Sequence, residues 1–217
     1  MRIDIPEAYN KILIQHSGGV DSTYVIYGVV KTLVEEKRNV QVIINTGFEP
    51  KTDPHSFERT DKICKKIFEH FNYTNYIHIK FEYKEGLIDS KQRQFSKSIT
   101  DVYDKYKIDA VYRGITKAPP VYIQELACGY IIEGRTFDKA VSTVDWNPHG
   151  FYNHRPIINI DKKELAVEWN KSQFLVDEIY KMTFSCVSGM HYTAAWTKHC
   201  LSCWWCGERM WAFGKII

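Results

Sequence analysis

Lys11-Ile-Leu-Ile-Gln-His-Ser-Gly-Gly-Val-Asp-Ser22 is the stretch of sequence that decides the fold. Its apolar first half is typical of a buried strand, and it ends at a tight glycine turn. From Ser22 onward, apolar residues recur with helical spacing, at Val25, Ile26, Val29, Val30, Leu33 and Val34. The stretch therefore predicts a strand, a tight loop and an amphipathic helix in direct succession.

Strand and helix patterns alternate through the rest of the chain. Apolar runs predict further strands at Val40–Ile44, Tyr76–Ile79 and Ala110–Tyr112. Helical spacing predicts helices over about 55–71 and 162–169. Because the strands are apolar throughout and alternate with helices, we expect an α/β fold with a parallel, Rossmann-like sheet covered on both faces. Ligands of such sheets bind at the carboxyl ends of the strands, where the loops 17–22, 45–50 and 113–120 should gather.

Length and composition limit the functional classes. With 217 residues, the chain fits one sizeable domain and a small appendage. A hydrophobic content of 44% and a charged content of 25% exclude a disordered, collagen-like or multispanning protein. The net charge of +3 does not indicate a nucleic-acid or membrane partner. No apolar run approaches the roughly 18–20 residues of a membrane span, and the N-terminal residues do not resemble a signal peptide, so we expect a cytoplasmic protein.

The glycine turn has the composition of a phosphate-binding loop. Its backbone N–H groups and the following helix N-terminus can point together at an anion. Ser17 and Ser22 add hydroxyl donors, and Asp21 can hold Mg²⁺, whereas the lysine of a Walker A motif is absent. The alternative is an ordinary glycine turn in which Ser22 caps the helix.

Four late cysteines have the spacing of a metal site, C-x13-C-x2-C-x2-C, at Cys186, Cys200, Cys203 and Cys206. Four soft thiolates favour a closed tetrahedral Zn²⁺ site. An iron–sulfur cluster, a redox pair and buried thiols without a metal remain alternatives. The other two cysteines, Cys64 and Cys128, are expected to be small core residues.

The loop Ser17-Gly-Gly-Val-Asp-Ser22 resembles the SGGxDS signature of the PP-loop ATP pyrophosphatases, whose fold is that of the adenine nucleotide alpha hydrolases. The resemblance implies that ATP binds with its pyrophosphate in the loop and is cleaved between the α- and β-phosphates. A substrate oxygen is adenylated in that reaction, and a nucleophile such as ammonia or a sulfur donor then displaces AMP.

Two later motifs narrow the resemblance. Thr183-Phe-Ser-Cys186 and Cys200-Leu-Ser-Cys-Trp-Trp-Cys-Gly-Glu-Arg209 are similar to the carboxy-terminal motif of 7-cyano-7-deazaguanine (preQ0) synthases. Pro156-Ile-Ile-Asn-Ile-Asp-Lys-Lys-Glu164 is similar to that family's P-L-x-x-x-x-K-x-E segment, with Lys162 on its lysine. The family converts 7-carboxy-7-deazaguanine, ATP and ammonia to the nitrile preQ0, so the implied partners are a small deazapurine acid and ammonia.

The resemblance also implies roles for particular residues. Asp21 and Lys162 are the predicted catalytic residues, and the four cysteines are predicted to hold structural Zn²⁺. The residues predicted to bind ATP and Mg²⁺ are Ser17, Gly18, Gly19, Val20, Asp21, Ser22, Thr46, Gly47, Arg113 and Gly114. A solvated position in the first turn of a helix is the alternative for Lys162. The implied division is a PP-loop domain at 1–180 and a zinc-binding subdomain at 181–217, with a homodimer left open.

The middle of the chain departs from the deazaguanine family. Asn45-Thr-Gly-Phe-Glu49 is closer to the D-T-G segment of PAPS reductases, which favours a sulfur-handling enzyme, such as a tRNA thiolase, as an alternative. A relative of the deazaguanine family that uses the same chemistry on a macromolecular carboxylate is a further alternative. A nucleotide-binding regulatory module without turnover is a third hypothesis. Arg113 and Lys117 can pair with a carboxylate or phosphate, or can be solvated loop charges.

Overall fold

The computed structural model describes residues 1–48, 53–84, 91–120, 141–186, 199–201 and 203–215, without the side chains of 91 and 92. The strands are β1 (Lys11–Gln15), β2 (Gln41–Phe48), β3 (Tyr76–Glu82), β4 (Ala110–Arg113), β5 (Val144–Asn147) and β6 (Phe151–His154). The α-helices are α1 (Val20–Glu35), α2 (Ser56–His70), α3 (Lys91–Tyr106), α4 (Lys162–Trp169) and α5 (Trp204–Phe213). A π-helical turn at Leu175–Ile179 and a 3₁₀ turn at Tyr180–Met182 follow α4.

The six strands form one mostly parallel sheet in the order β3-β2-β1-β4-β6-β5. Every neighbouring pair is parallel except β5 and β6, which are antiparallel at the edge. The prediction of an α/β fold with a parallel sheet is therefore confirmed, and the antiparallel strand β5 extends that sheet at one edge. Neither β5 nor β6 was predicted, because both are four residues long and alternate with polar side chains.

Apolar side chains cover both faces of the sheet, as its apolar strands require. On one face, residues such as Ile14 and Ile44 pack with α1, α2 and α4 in the larger core cluster. On the other face, Leu13, Ile43 and Val111 pack against α3 in the smaller cluster. Helix α3 was not predicted, because residues 80–108 show only weak apolar periodicity in the sequence. Burial of alternating strand residues on opposite faces holds the sheet between two helical layers.

The order of the strands creates a crevice at β1. The chain runs outward from β1 to β2 and β3, then returns to the other side of β1 as β4. The loops after β1 and β4 therefore leave neighbouring strands at the same edge, where ligands of open α/β sheets bind. The loop 17–22 and the segment after Arg113 both lie at this edge.

Three smaller expectations have clear outcomes. Helix α1 begins at Val20, two residues before the predicted Ser22, and Gly19 is its N-cap, so the proposal that Ser22 caps the helix is wrong. Cys64 is fully buried in the core, as predicted, whereas Cys128 lies outside the described residues. None of the described helices combines the length and the apolar character that crossing a membrane would require.

Candidate nucleotide-binding loop and cysteine centre

The phosphate loop is a tight turn that only a flexible backbone can make. Gly18 has a φ of +81°, a conformation that residues with a Cβ atom rarely adopt. Gly19, the N-cap of α1, provides no side-chain oxygen to cap the helix. Val20 is buried, and its backbone begins the helix. The positive end of α1 is therefore presented at the loop, as an anion-binding site requires.

A buried hydroxyl organises the loop from inside. Ser22 Oγ lies 3.2 Å from the Ser17 nitrogen, 3.1 Å from Ser17 Oγ and 3.2 Å from His16 Nδ1. The Gly18 and Gly19 N–H groups donate long, 3.4 Å hydrogen bonds to His16 Nδ1 and Ser17 Oγ. Because an anionic acceptor makes stronger hydrogen bonds than these neutral ones, it can replace them at little cost.

His16 is a neutral part of this network. The side chain is buried, and burial, with smaller contributions from His78 and Arg59, lowers its pKa to about 3. Since Nδ1 accepts from Gly18, the ring proton is assigned to Nε2. His16 Nε2 has no hydrogen-bond partner among the described residues. The imidazole therefore stabilises the loop as an uncharged acceptor at neutral pH.

We expect acid to destabilise the fold partly through His16. Its pKa falls from an ordinary 6.5 to about 3 on folding, so the stability it contributes is present above pH 6.5 and is lost as the pH falls toward 3. When the pH falls from 8 to 5, the free energy of unfolding should decrease by about 2 kcal/mol through this group alone. His16→Gln should remove that part of the pH dependence, measured by urea unfolding across this range.

The matched control for this prediction is His149→Gln, because His149 is exposed. It should leave the slope of stability against pH unchanged. An unaltered slope in His16→Gln would contradict the assignment. His78 and His154, whose pKa values burial also lowers, account for the dependence that remains.

A cleft of about 430 Å³ opens beside the loop, large enough for a small ligand. Its walls contain five of the predicted binding residues: Ser17, Ser22, Gly47, Arg113 and Gly114. The aromatic side chains of Tyr83 and Phe95 also line it. Arg113, and not Lys117, contributes a cation to this wall. Burial lowers the pKa of Arg113, but a guanidinium stays protonated in proteins, so the wall carries positive charge.

Gly114 allows the segment after β4 to lie directly on the start of α1. A Cβ atom at Gly114 would be 2.5 Å from both the Asp21 carbonyl carbon and Ser22 Cα. These are backbone atoms of the first helical turn, so they cannot rotate away as a flexible side chain would. The absence of a side chain at Gly114 therefore fixes the distance between the loop and β4.

Lys162 is buried, so the alternative of a solvated lysine is wrong. Its Nζ lies 3.2 Å from Asp21 Oδ2 and 2.8 Å from Glu208 Oε2. Helix α4 places this ammonium group because Asp161 caps the helix in a capping box with Glu164, which fixes where the first turn begins. The two predicted catalytic residues are thus brought together, with Glu208 as a third member that the sequence did not indicate.

The cysteine centre is compact. The four Sγ atoms all lie within 4.8 Å of one another. Three of the separations are 3.5 Å for Cys203–Cys206, 3.9 Å for Cys186–Cys203 and 4.0 Å for Cys200–Cys206. A tetrahedral ion with metal–sulfur bonds of 2.3 Å would separate thiolates by about 3.8 Å. In a [4Fe–4S] cluster each thiolate binds a different iron, so the sulfur atoms stand further apart. The cysteines therefore fit a single tetrahedral ion.

Arg209 anchors the helix that follows these cysteines. It is completely buried, and its guanidinium donates to Tyr180 Oη, the Tyr180 carbonyl and the Thr183 carbonyl at 3.1–3.3 Å. The guanidinium also lies 4.2 Å from the centre of the Tyr180 ring. Burial lowers the pKa of Arg209, but these contacts compensate the buried charge. Helix α5 is thereby tied to the segment that carries Cys186.

Thr46 is placed differently from its prediction as a cofactor-binding residue. Its hydroxyl is fully buried, 2.8 Å from His78 Nε2, and His78 Nδ1 lies 3.3 Å from Asp61 Oδ1. Thr46 is therefore not among the residues that line the cleft. His78 and Asp61 were missed because this hydrogen-bonded trio joins three separate elements and leaves no local pattern.

Comparison with solved structures places this geometry in a known fold. The U34-tRNA thiolase NcsA from Methanococcus maripaludis, solved with its [4Fe–4S] cluster, is similar with a TM-score of 0.51 and 16% identity. The match covers 84% of this chain and 63% of the thiolase, so the chain spans less than two thirds of that protein. At this identity the similarity shows that the two proteins share a fold.

A second solved structure, NMN synthetase from Francisella tularensis, matches with 11% identity and a TM-score of 0.47, with 97% of this chain and 79% of that chain covered. No protein-family model and no curated protein sequence matches this chain. The likeness to the thiolase therefore concerns the fold alone.

Proposed function

We propose that this protein is an ATP-dependent enzyme that adenylates a carboxylate and transfers nitrogen to it. The proposed substrate is 7-carboxy-7-deazaguanine, the nitrogen donor is ammonia, and the final product is the nitrile preQ0. The observation that carries the proposal is a PP-loop at a helix N-terminus, opening onto a cleft with both a cation and aromatic side chains. The three sequence motifs of the deazaguanine family support the choice of substrate.

The loop provides what cleavage of ATP between its α- and β-phosphates requires. In that step a carboxylate oxygen forms a bond to the α-phosphorus, and the bond to the bridging oxygen of pyrophosphate breaks. The negative charge that develops on pyrophosphate would meet the loop N–H groups, the Ser17 hydroxyl and the positive end of α1. Ammonia can then attack the acyl carbon, the bond from that carbon to the AMP oxygen breaks, and loss of AMP and a proton gives the amide. A second ATP would adenylate the amide oxygen in the same way, and loss of AMP together with the two protons on nitrogen gives the nitrile.

Asp21 and Lys162 support this chemistry electrostatically. Asp21 lies in the first turn of α1, and a carboxylate beside phosphate groups is the usual protein contribution to a Mg²⁺ site. Mg²⁺, when bound, would neutralise phosphate charge. Lys162 keeps an ammonium group next to Asp21 and holds the carboxylate in place.

The cleft suits a planar acid. The rings of Tyr83 and Phe95 offer apolar surface for a heterocycle, and Arg113 offers a planar guanidinium for a carboxylate. We propose Zn²⁺ as the ion of the cysteine centre, since the sulfur separations fit one tetrahedral ion. It would have a structural role, because four thiolates leave no open coordination position.

The test is to incubate the purified protein with MgATP, 7-carboxy-7-deazaguanine and ammonium. We expect AMP release that depends on the acid, together with the mass of preQ0. Each reactant is omitted in turn as a control. The deazaguanine assignment is contradicted if the complete mixture gives no AMP above the control without acid and no preQ0 mass.

Arg113→Ala should raise the KM for the acid by about 10–150-fold, because a charge-assisted hydrogen bond is worth about 1.5–3 kcal/mol. The KM for ATP should change much less. Lys117→Ala is the matched control, since this lysine does not line the cleft. Equal effects of the two variants on the KM for the acid would mean that Arg113 does not bind the carboxylate.

A sulfur-transferring enzyme is the second candidate, favoured by the similarity in fold to the thiolase and by the four clustered cysteines. This candidate requires an iron–sulfur cluster or a reactive cysteine. A broad visible absorption band with iron and sulfide in the purified protein would favour it. One equivalent of zinc in a colourless protein would favour the nitrogen ligase.

A further inference from the structure

Both segments that carry the cysteines contact the phosphate loop. In the first segment, the Phe184 N–H donates to the Gly18 carbonyl at 2.8 Å, two residues before Cys186. A Cβ atom at Gly19 would lie 3.4 Å from Ser185 Oγ, so this segment passes directly beside the loop. The first cysteine is therefore fixed against the turn that would bind pyrophosphate.

The second cysteine-bearing segment, which includes helix α5, is connected to the loop by charged side chains. Glu208 lies two residues after Cys206 in helix α5, and its carboxylate is 2.8 Å from Lys162 Nζ. Lys162 is also 3.2 Å from Asp21, within the loop. The exposed fractions of the side chains are 1% for Glu208, 4% for Lys162 and 20% for Asp21. The three charges thus form a chain from the cysteine centre to the loop.

Because Glu208 is buried, its position strongly affects the positions of the other two charged groups, Lys162 and Asp21. Two carboxylates hold one ammonium group, and in a poorly hydrated interior the attraction is strong enough to decide where that group lies. The position of Glu208 depends in turn on the first turn of α5, which contains Cys206 and begins after Cys203. The geometry of the four cysteines therefore sets the geometry of Lys162 and Asp21.

We propose that Glu208 is a positioning residue that couples metal binding at the four cysteines to the affinity of the loop for MgATP. The inference rests on the proposed function only in taking MgATP as the ligand of the loop. A metal ion holds the four thiolates together and fixes the start of α5. Without it, α5 keeps the contacts of Arg209, but its first turn is no longer held by Cys203 and Cys206. Glu208 is then placed less precisely, and Lys162 and Asp21 lose part of the arrangement that suits the nucleotide.

The coupling must be reciprocal. If metal binding raises the affinity for MgATP by a given factor, MgATP raises the affinity for the metal by the same factor. We expect a factor of about ten, within the usual range of coupling between two sites. Replacing Glu208 by glutamine keeps the size of the side chain and removes its charge, so the factor should fall below about three.

The experiment is a thermodynamic cycle on the full chain. MgATP affinity is measured by calorimetry for the zinc-loaded and the chelator-treated protein, in the wild type and in Glu208→Gln. Zinc affinity is measured against a competing chelator with and without MgATP. Met210→Gln, at an exposed position on the same helix, is the matched control and should keep the wild-type coupling. Glu208→Asp keeps the charge at a shorter reach and should give an intermediate factor.

The outcomes separate this inference from the proposed function. Loss of coupling in Glu208→Gln, with one equivalent of zinc and a folded core retained, supports it. Equal MgATP affinity in the zinc-loaded and zinc-free wild type overturns it and leaves the proposed function intact. Unchanged coupling in Glu208→Gln also overturns it. A zinc-loaded wild type that does not bind MgATP overturns both proposals. Should Glu208→Gln fail to fold, a coupling factor in Glu208→Asp that lies clearly below the wild-type factor supports the inference, and an unchanged factor overturns it.

Discussion

Gly114→Ala should lower turnover by about a hundredfold and destabilise the protein by about 1–3 kcal/mol. The new methyl group would lie 2.5 Å from Ser22 Cα and from the Asp21 carbonyl carbon. Backbone atoms can relieve this overlap only if the first turn of α1 and the segment after β4 move apart. Overpacking of this kind costs about 1–3 kcal/mol. A displacement of about 1 Å in a group that positions a substrate can cost about a hundredfold in rate.

The control for this prediction is Gly28→Ala within the same helix. A Cβ atom at Gly28 would meet the Ile3 side chain, at 2.6 Å from Cδ1, and a side-chain end can move aside. Alanine also favours a helix over glycine by about 1 kcal/mol, which offsets part of the repacking. Gly28→Ala should therefore retain turnover. Wild-type turnover in Gly114→Ala would show that the loop tolerates movement against β4.

Cys203→Ser should abolish stoichiometric metal binding and lower the melting temperature by about 5–10 °C. The Cys203 sulfur is close to two of the other three sulfur atoms, at 3.5 Å from Cys206 and 3.9 Å from Cys186. A serine hydroxyl is a poor ligand for a metal that prefers thiolates. Loss of a metal present at a hundred times its dissociation constant removes about 2.7 kcal/mol of stability. In a protein of this size that shift corresponds to about 5–10 °C.

Elemental analysis and thermal unfolding measure the two effects, and the first of them also identifies the metal. The matched control is Cys64→Ala, since Cys64 is fully buried in the main core and far in sequence from the four cysteines. It should keep one metal ion per chain and cost about 1 kcal/mol, an ordinary value for a core substitution. A Cys203→Ser protein that retains a full equivalent of metal would show that three thiolates suffice.

Much of the fold was predictable because its signals are local. The strand, loop and helix at the start of the chain follow from apolar spacing and two glycines, and the structure has them as β1, the loop and α1. The strands β5 and β6 were not predictable in the same way. Each consists of four residues with polar positions, and Val144–Asn147 is largely exposed at the edge. Such a strand is stabilised by its neighbour in the sheet, which the local pattern does not reveal.

The residues of the candidate site also fall into two groups, those that a local sequence motif indicates and those that only the tertiary structure reveals. The sequence indicated the loop Ser17–Ser22, Lys162 and the four cysteines, because each belongs to a motif with fixed spacing. The role of Glu208 was not predictable, since its partner Lys162 lies on a different helix. The same holds for Gly114, whose importance appears only when the backbone of Ser22 is placed against it.

The sequence by itself determined the class of the fold, the glycine loop Ser17–Ser22 and the group of four cysteines, because spacing along the chain specifies local backbone geometry and donor type. The tertiary structure alone decided that Lys162 is buried between Asp21 and Glu208, and that the cysteine segments rest on the loop. These contacts join residues far apart in the chain. They exist because burial of apolar side chains in the larger core cluster, on one face of the sheet, brings α1, α4 and α5 together, and the charges left inside must then pair with one another.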